Sequence, residues 1–443
     1  MPPPIRHALV SLRELSLTVG PFLLLALLLL AAAYAVLTPN PPRHVVLATG
    51  VPQGAYAAFG QRYADFLKQH GITVELRSTQ GAAENLALLR QPGSGVDLAF
   101  VQGGADRAYA DDENPDRALV SLGNVFYEPV WLFYREASAK RLLKQPTLAM
   151  LSQLAGWKLN VGAAGSGVTP LMTRLLEANH VDPATITLSQ QPVTPAVVDL
   201  LEDRIDALVL ASAPESSMVQ MLLQTPGIRL FDFAQAEAYA RRFPFMSAVT
   251  LPRGVVDLAR DQPPADVRLV APTATLVARD TLHPALVQLF VQAAQKVHGT
   301  PGWFQRKGEF PNAGDAERPV DAEALRVYRN GTPWLQRYLP FWLANLADRM
   351  WVVLLAIIAV LLPLSRVLPP LYEFRIRSRV FRWYGRLRAV EASMGERPAD
   401  ELLKELDDID QHVGRVSVPL SHADELYALR SHILLVRRKL RAD

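Results

Sequence analysis

The stretch Val45–Tyr56, VVLATGVPQGAY, decides how the chain is read. Four apolar residues, Val45 to Ala48, form a short buried run, and Gly50, Pro52 and Gly54 then break it. That is a strand followed by a turn. From Tyr56 to Gln69 the apolar positions Tyr56, Phe59, Tyr63, Phe66 and Leu67 recur at helical spacing. Thr73–Leu76 predicts a second strand, Glu84–Arg90 a second helix and Val96–Val101 a third strand. A strand–helix–strand–helix–strand order at this spacing gives a parallel sheet with helices on its faces.

Working outward, the pattern recurs in kind. Lys158–Val161 predicts a strand, Gly162–Gly167 (GAAGSG) a glycine loop, and a helix follows to about Asn179. Thr185–Leu188, Pro195–Asp203 and Ile205–Leu210 continue as strand, helix and strand. The expectation is a two-lobed α/β body over residues 43–330, with lobe 1 at about 43–130 plus 268–330 and lobe 2 at about 135–240. Val130–Tyr134 is expected to cross between the lobes and Arg268–Ala278 to cross back. In such a fold a solute binds between the lobes, at strand carboxyl ends and helix N-termini.

The two glycine loops are the candidate binding elements. The first brings Thr49, Gly50, Gly54, Ala55 and Tyr56 to a helix start, and the second brings Ser166 and Gly167 to another. Free backbone N–H groups and two positive dipole ends suit an anion such as a carboxylate. Neither loop is a Walker A loop, since no Gly-Lys-Ser/Thr follows, and the glycine order is not that of a dinucleotide fingerprint. A tight turn remains the alternative for GAAGSG taken by itself.

No catalytic constellation emerges. The body histidines, His44, His70, His180, His283 and His298, are scattered without ligand spacing and read as packing or surface residues. Ser166 lacks the G-x-S-x-G elbow of a nucleophile. Asp111, Asp112 and Glu113 read as a solvated loop. With no cysteine, disulfides, thiolate metal sites and Cys nucleophiles are excluded. The expectation is a binding protein without enzyme activity, cofactor or metal. A formal net charge of +3 on 443 residues gives no reason to expect nucleic acid as a partner.

Outside the body, two stretches read as membrane segments. No charge interrupts Leu15–Pro42, whose centre is PFLLLALLLLAAAYAVL. About 20 apolar residues span a bilayer core of about 30 Å. A cleavable signal peptide ending at Ala33-Tyr34-Ala35 is the alternative. The second stretch, Met350–Leu364 (MWVVLLAIIAVLLPL), is short, but Trp334, Tyr338, Phe341, Trp342 and Trp351 form an aromatic belt on one side. Arg366, Arg375, Arg377, Arg379, Arg382, Arg386 and Arg388 follow it, against Glu373 alone, and Arg6 and Arg13 precede the first stretch. The positive-inside rule then puts both termini in the cytoplasm and the body outside. The expected organisation is a cytoplasmic N-terminus (1–18), a transmembrane helix (19–37), the body (43–330), an aromatic interfacial segment (331–349), a second transmembrane helix (350–366) and a cytoplasmic tail (372–443). Arg375–Arg388 is a basic, aromatic-interleaved helix suited to anionic lipid. Ala399–His412 and Ser421–Leu440 predict a helical hairpin, with Leu402, Leu403, Leu406 and Ile409 facing Leu426, Leu429, Ile433 and Leu434.

These motifs resemble the TAXI-type solute receptors of tripartite (TRAP) transporters. The resemblance runs from about Val45 to about Tyr328 and is carried by Ala48–Tyr56, Ser78–Asn85 (STQGAAEN), Asp97–Gln102 (DLAFVQ) and Gly165–Gly167, with Asp206-Ala207 also fitting. The segment from about Thr332 onward looks like the membrane-anchored branch of that family. The resemblance implies a two-lobed type II periplasmic binding fold and, as ligand, a small organic acid such as a glutamate-like or dicarboxylate molecule. It also implies TRAP permease subunits or another membrane partner, with the lipid bilayer around the anchors. Gly50, Gly54 and Tyr56 would cradle the ligand from lobe 1, Thr79 and Asn85 near the second helix, Gln102 at the third strand, and Ser166 and Gly167 from lobe 2. Two positions depart from the family: Ala55 and Val168 stand where it often has threonine. The loss of two hydroxyl donors, each worth about 0.5–3 kcal/mol, points to a less polar ligand. A membrane sensor that signals through the tail, or an assembly protein with a vestigial cleft, are the competing readings.

Overall fold

The computed structural model describes residues 20, 22–35, 40–105, 118–314, 317–416 and 423–442. The acidic run 111–113 and the residues before Gly20 lie outside them. The chain divides into two compact units, Asn40–Asn345 and a second made of Met1–Pro39 with Leu346–Asp443.

An apolar helix, α1 (Phe22–Ala35), precedes the larger unit. That unit begins β1 (His44–Ala48), α2 (Ala55–Lys68), β2 (Thr73–Arg77), α3 (Ala82–Arg90), β3 (Leu98–Gln102), β4 (Leu119–Tyr127). A second run follows: β5 (Val130–Arg135), α4 (Glu136–Leu143), β6 (Lys158–Asn160), α5 (Val168–Ala178), β7 (Thr187–Ser189), α6 (Val193–Leu201), β8 (Ala207–Ala211), α7 (Ser217–Leu223), β9 (Ile228–Leu230), α8 (Ala236–Arg242) and β10 (Met246–Leu251). The unit closes with β11 (Val267–Arg279), α9 (Pro284–His298) and α10 (Ala322–Asn330). One sheet has the order β10-β11-β3-β1-β2, with β4 beside β11; the other runs β7-β6-β8-β5-β9.

The local reasons are those of the sequence. Every residue of β3, LAFVQ, is buried, as a central strand covered on both faces requires. Helix α2 turns Tyr56, Phe59, Tyr63 and Leu67 inward at intervals of three and four. Tyr63 stacks edge-on against Phe100, 5.6 Å between ring centres. Strands β1, β2 and β3 pair in parallel, whereas β11 joins β3 and β4 antiparallel, so the fold is mixed α/β.

The crossings between lobes are sharper than expected. Val130–Tyr134 lies wholly in the second sheet, between β8 and β9, and is not itself the crossing strand. The chain changes lobes just before it, at Glu128, after a strand (β4) that the sequence reading did not anticipate. The return is β11: Leu269, Val270 and Ala271 pack in the second lobe's core, and Ala274, Leu276 and Val277 in the first's. The two crossings touch, because the Glu128 N–H donates to the Pro272 carbonyl at 2.9 Å. Residues 246–251, which the sequence reading assigned to neither lobe, form β10 along β11 and help bury the second core.

Helix α11 (Phe341–Ala392), 52 residues long and bent after Asp348, begins within the larger unit and continues from Leu346 in the smaller one, where α12 (Ala399–Arg415) and α13 (Ala423–Ala442) follow. Leu402, Leu406, Ile409 and Val413 meet Leu429, Ile433, Val436 and Leu440, closed by Val380, Leu387 and Val390 of α11. Leu434, expected in this seam, is 52 % exposed instead. Among the described residues no single helix is long and apolar enough to cross a membrane. Phe341–Asp348 and Met350–Val360, which meet at a bend, pass that test together, and α1 is a shorter apolar helix.

Candidate functional site

A cavity of about 350 Å³ lies between the two lobes. Gly50–Tyr56, Gln80–Ala82 and Gln102 line it from the first, and Gly162, Ala163, Ser166–Val168, Pro192–Thr194 and Val209–Ser212 from the second. Glu128, on the crossing, completes the wall.

Helix starts dominate this lining. Gly54, Gly81, Gly167 and Pro192 are the N-cap residues of α2, α3, α5 and α6, and none has a side-chain cap. The positive ends of four helix dipoles therefore converge on one space. The lobes are in contact beside it: the Glu84 N–H at the start of α3 donates to the Gly165 carbonyl at 3.1 Å. Small residues permit this approach. A Cβ on Gly167 would collide with Gln102 Oε1, and Gly81, at φ 135°, has a backbone that favours glycine.

The eleven residues singled out from sequence separate into two groups. Gly50, Gly54, Ala55, Tyr56, Gln102, Ser166, Gly167 and Val168 line the cavity. Thr49, Thr79 and Asn85 do not; they form a buried network beneath it. Asn85 Nδ2 donates to the Phe100 carbonyl at 2.8 Å and to the Thr49 carbonyl. Thr79 Oγ1 donates to Asn85 Oδ1 at 2.6 Å and accepts from the Gly81 N–H at 3.2 Å. Thr49 Oγ1 donates to the Arg77 carbonyl at 3.3 Å. This network fixes the loops after β1 and β2, and its donors are used internally. Of the two family departures, Val168 opens α5 with a largely buried side chain (7 % exposed), while Thr169 turns away and donates to the Val161 carbonyl at 3.0 Å.

The cavity groups are in the opposite condition. Gln102 is 3 % exposed, and its Nε2 has no hydrogen-bond partner. Ser166 Oγ is likewise buried and unpartnered. Glu128, also 3 % exposed, accepts the Tyr56 hydroxyl hydrogen on Oε2 at 2.7 Å. Burial pushes its carboxyl up to about 8, partly offset by that hydrogen bond. The Tyr56 hydroxyl is raised in turn, by burial first and by the neighbouring Glu128 second. Tyr56 is held by Phe100, with ring centres 5.2 Å apart and nearly parallel. No lysine, arginine or histidine lines the cavity among the described residues.

Sequence reasoning missed Glu128. A signal was present, since it is the sole charged residue from Leu119 to Tyr134. A lone acid inside a long apolar run demands a partner once folded.

The NMT1-like family matches residues 47–295 of the chain. No curated protein gives a significant sequence match. Solved structures with similar folds include the alkanesulfonate-binding protein SsuA from Xanthomonas axonopodis pv. citri bound to MOPS, at 14 % identity. The match covers 58 % of this chain and 74 % of that one, with a TM-score of 0.36. MatC from Rhodopseudomonas palustris with bound malate is 16 % identical over 70 % of this chain and 96 % of its own, with a TM-score of 0.38. The aliphatic sulphonate binding protein SsuA from Escherichia coli is 16 % identical over 57 % and 69 %, with a TM-score of 0.35.

Proposed function

Because the chain belongs to the NMT1-like family, we propose that it is a membrane-tethered extracytoplasmic solute receptor, a TAXI-type subunit of a TRAP transporter. It captures a small organic solute bearing a carboxylate between its two lobes. The observation that carries this reading is an interlobe cavity in which Gln102 Nε2 and Ser166 Oγ are buried without a partner. Leaving such groups unpaired costs about 1–3 kcal/mol each, which a bound solute recovers. The four uncapped helix starts supply the positive potential that a carboxylate needs in the absence of a basic side chain.

A thermal-shift screen of the full chain in detergent against organic acids and amino acids tests this. A ligand present at 100 times its Kd stabilises by about 2.7 kcal/mol. Absence of a shift with every compound would mean a vestigial cleft.

The tethering rests on exposed apolar surface. Leu24, Leu27 and Leu28 of α1 are 62, 67 and 58 % exposed, and Trp351, Val352, Leu354 and Leu355 of α11 are all more than half exposed. Such bands suit lipid rather than water. The basic residues after Leu364 favour both termini in the cytoplasm of a bacterial inner membrane and the body in the periplasm. Alkaline carbonate should leave the chain in the membrane pellet; its release would refute anchoring. Protease added from outside should cut the body and spare residues 372–443.

The independent core of the helical tail favours a second reading, a sensor that signals through α12 and α13. Copurification of permease subunits with the intact chain supports the transport role; a tail-dependent partner without permease supports the sensor.

A further inference from the structure

Resting on the receptor reading above, we propose that the loop after α9, Gly299–Phe310, is an interlobe clasp: Trp303 and Phe304 at its tip hold the Ser212–Met218 wall of the solute cavity and so favour the closed receptor. The root of the loop belongs to the first lobe. The Gly308 N–H donates to the Gly299 carbonyl at 3.3 Å, which pins the two ends together. Asn312, just beyond the loop, pairs with Asn124 of β4 through both backbone groups, at 2.9 and 3.1 Å. Phe310 is 2 % exposed and lies edge-on to Tyr127, with ring centres 4.8 Å apart. The Tyr127 hydroxyl donates to Glu309 Oε1 at 2.9 Å. At the tip, the Gly302 N–H donates to the Gln305 carbonyl at 3.1 Å, so Trp303 and Phe304 are presented on a closed turn.

That tip reaches the other lobe. Trp303 and Phe304 pack against the second lobe's core, and the Phe304 ring meets that of Trp131 edge-on, 5.9 Å between centres. Trp131, fully buried in β5, donates through Nε1 to the Ser212 carbonyl at 2.9 Å. Ser212 opens the segment that leads from β8 into α7, and this segment has two sides. Ser212, Ser216 and Met218 line the solute cavity. Ala213, Pro214 and Glu215 instead line a second cavity, of about 70 Å³, together with Trp303 and Phe304. One wall therefore has the solute on its front and the clasp on its back.

The contact has the features of a separable one. Trp303 and Phe304 are half-buried, whereas Trp131 beneath them is fully buried. The gap of about 70 Å³ under the tip leaves part of their surface without packing partners. The covalent crossings near Glu128 and Pro272 join the lobes in every state, but the tip joins them by side-chain contact alone. A contact made only when the lobes are together biases the receptor towards closure by its own free energy. Loss of the tip therefore shifts the population towards the open state, although neither Trp303 nor Phe304 lines the solute cavity.

The test uses the full chain in detergent. The chain has no cysteine, so Gln61→Cys on α2 and Glu177→Cys on α5, both exposed and on opposite lobes, accept a pair of spin labels. Pulsed electron paramagnetic resonance then reads the distance between the lobes with no solute added. The labelled chain should show mostly the short, closed distance. Trp303→Ala with Phe304→Ala should lower the closed-to-open ratio by about tenfold or more. Lys307→Ala, exposed on the same loop, should leave it unchanged. Phe304→Leu should shift it partway, and it replaces the double variant if circular dichroism shows that variant unfolded. An unchanged ratio in the folded clasp variants, or a labelled chain already as open as they are, overturns the clasp. The thermal-shift screen of organic acids decides the receptor reading separately. Stabilisation by an acid, with distances that the clasp variants do not alter, removes the clasp alone. Stabilisation by none sinks the receptor reading, and the clasp's part in solute capture with it.

Discussion

Two groups of buried polar side chains stand at and beneath the interlobe cavity, and their conditions are opposite. Thr49, Thr79 and Asn85 spend their donors on one another and on backbone carbonyls. Gln102, Ser166 and Glu128 reach a cavity with donors or acceptors to spare. The first group makes the loops rigid, and the second leaves something for a solute to satisfy. Burial and polarity alone do not separate scaffold from binding site; the count of unmet hydrogen bonds does.

This contrast can be broken by mutation. The largest effect is expected at Asn85→Ala, which removes the Nδ2 donor to the Phe100 and Thr49 carbonyls and the Oδ1 acceptor of the Thr79 hydroxyl. A loss of about 3 kcal/mol in unfolding free energy should follow, measured by chemical denaturation. Gln102→Leu should instead leave stability nearly unchanged, since it removes an unpaired buried amide. It should weaken solute binding by about tenfold to a hundredfold, measured by calorimetry. If Gln102→Leu destabilised the protein as much as Asn85→Ala, the distinction between the two groups would collapse.

Glu128 gives a pH signature. In the unfolded chain its carboxyl ionises near the ordinary 4.5, whereas the native protein holds the proton to about 8. Between those values the native state binds the extra proton, so stability falls as pH rises, by at most about 1.4 kcal/mol per unit. Melting temperatures of the wild type and Glu128→Gln across pH 5–8 check this, the variant showing the shallower slope. The smallest effect is expected at Ser166→Ala, a threefold to tenfold loss of affinity from one neutral hydrogen bond of about 0.5–1.5 kcal/mol.

What the sequence made legible follows the same division. The strand–turn–helix punctuation of VVLATGVPQGAY and of the loop before Val168 located both glycine loops, because glycines and a period change are local signals. The helical hairpin of the tail was legible for the same reason, apart from Leu434. The inward or downward aim of Thr49, Thr79 and Asn85 was not, since it depends on where β1, β2 and β3 lie relative to one another. Glu128 was further out of reach. It meets Tyr56 across 72 positions of chain, and only the packing of β4 against α2 in the first lobe's core brings them together.

The contact between the Glu128 N–H and the Pro272 carbonyl has a kinetic consequence. Both strands that join the lobes meet at it, so an opening of the proposed receptor is expected to turn about this point. Groups far from a pivot sweep wide arcs, while a group on it hardly travels. In an open receptor Glu128 would keep its place beside Tyr56 while the Gly162–Gly167 loop swung away. A solute arriving from solvent would then meet a first-lobe wall already in position.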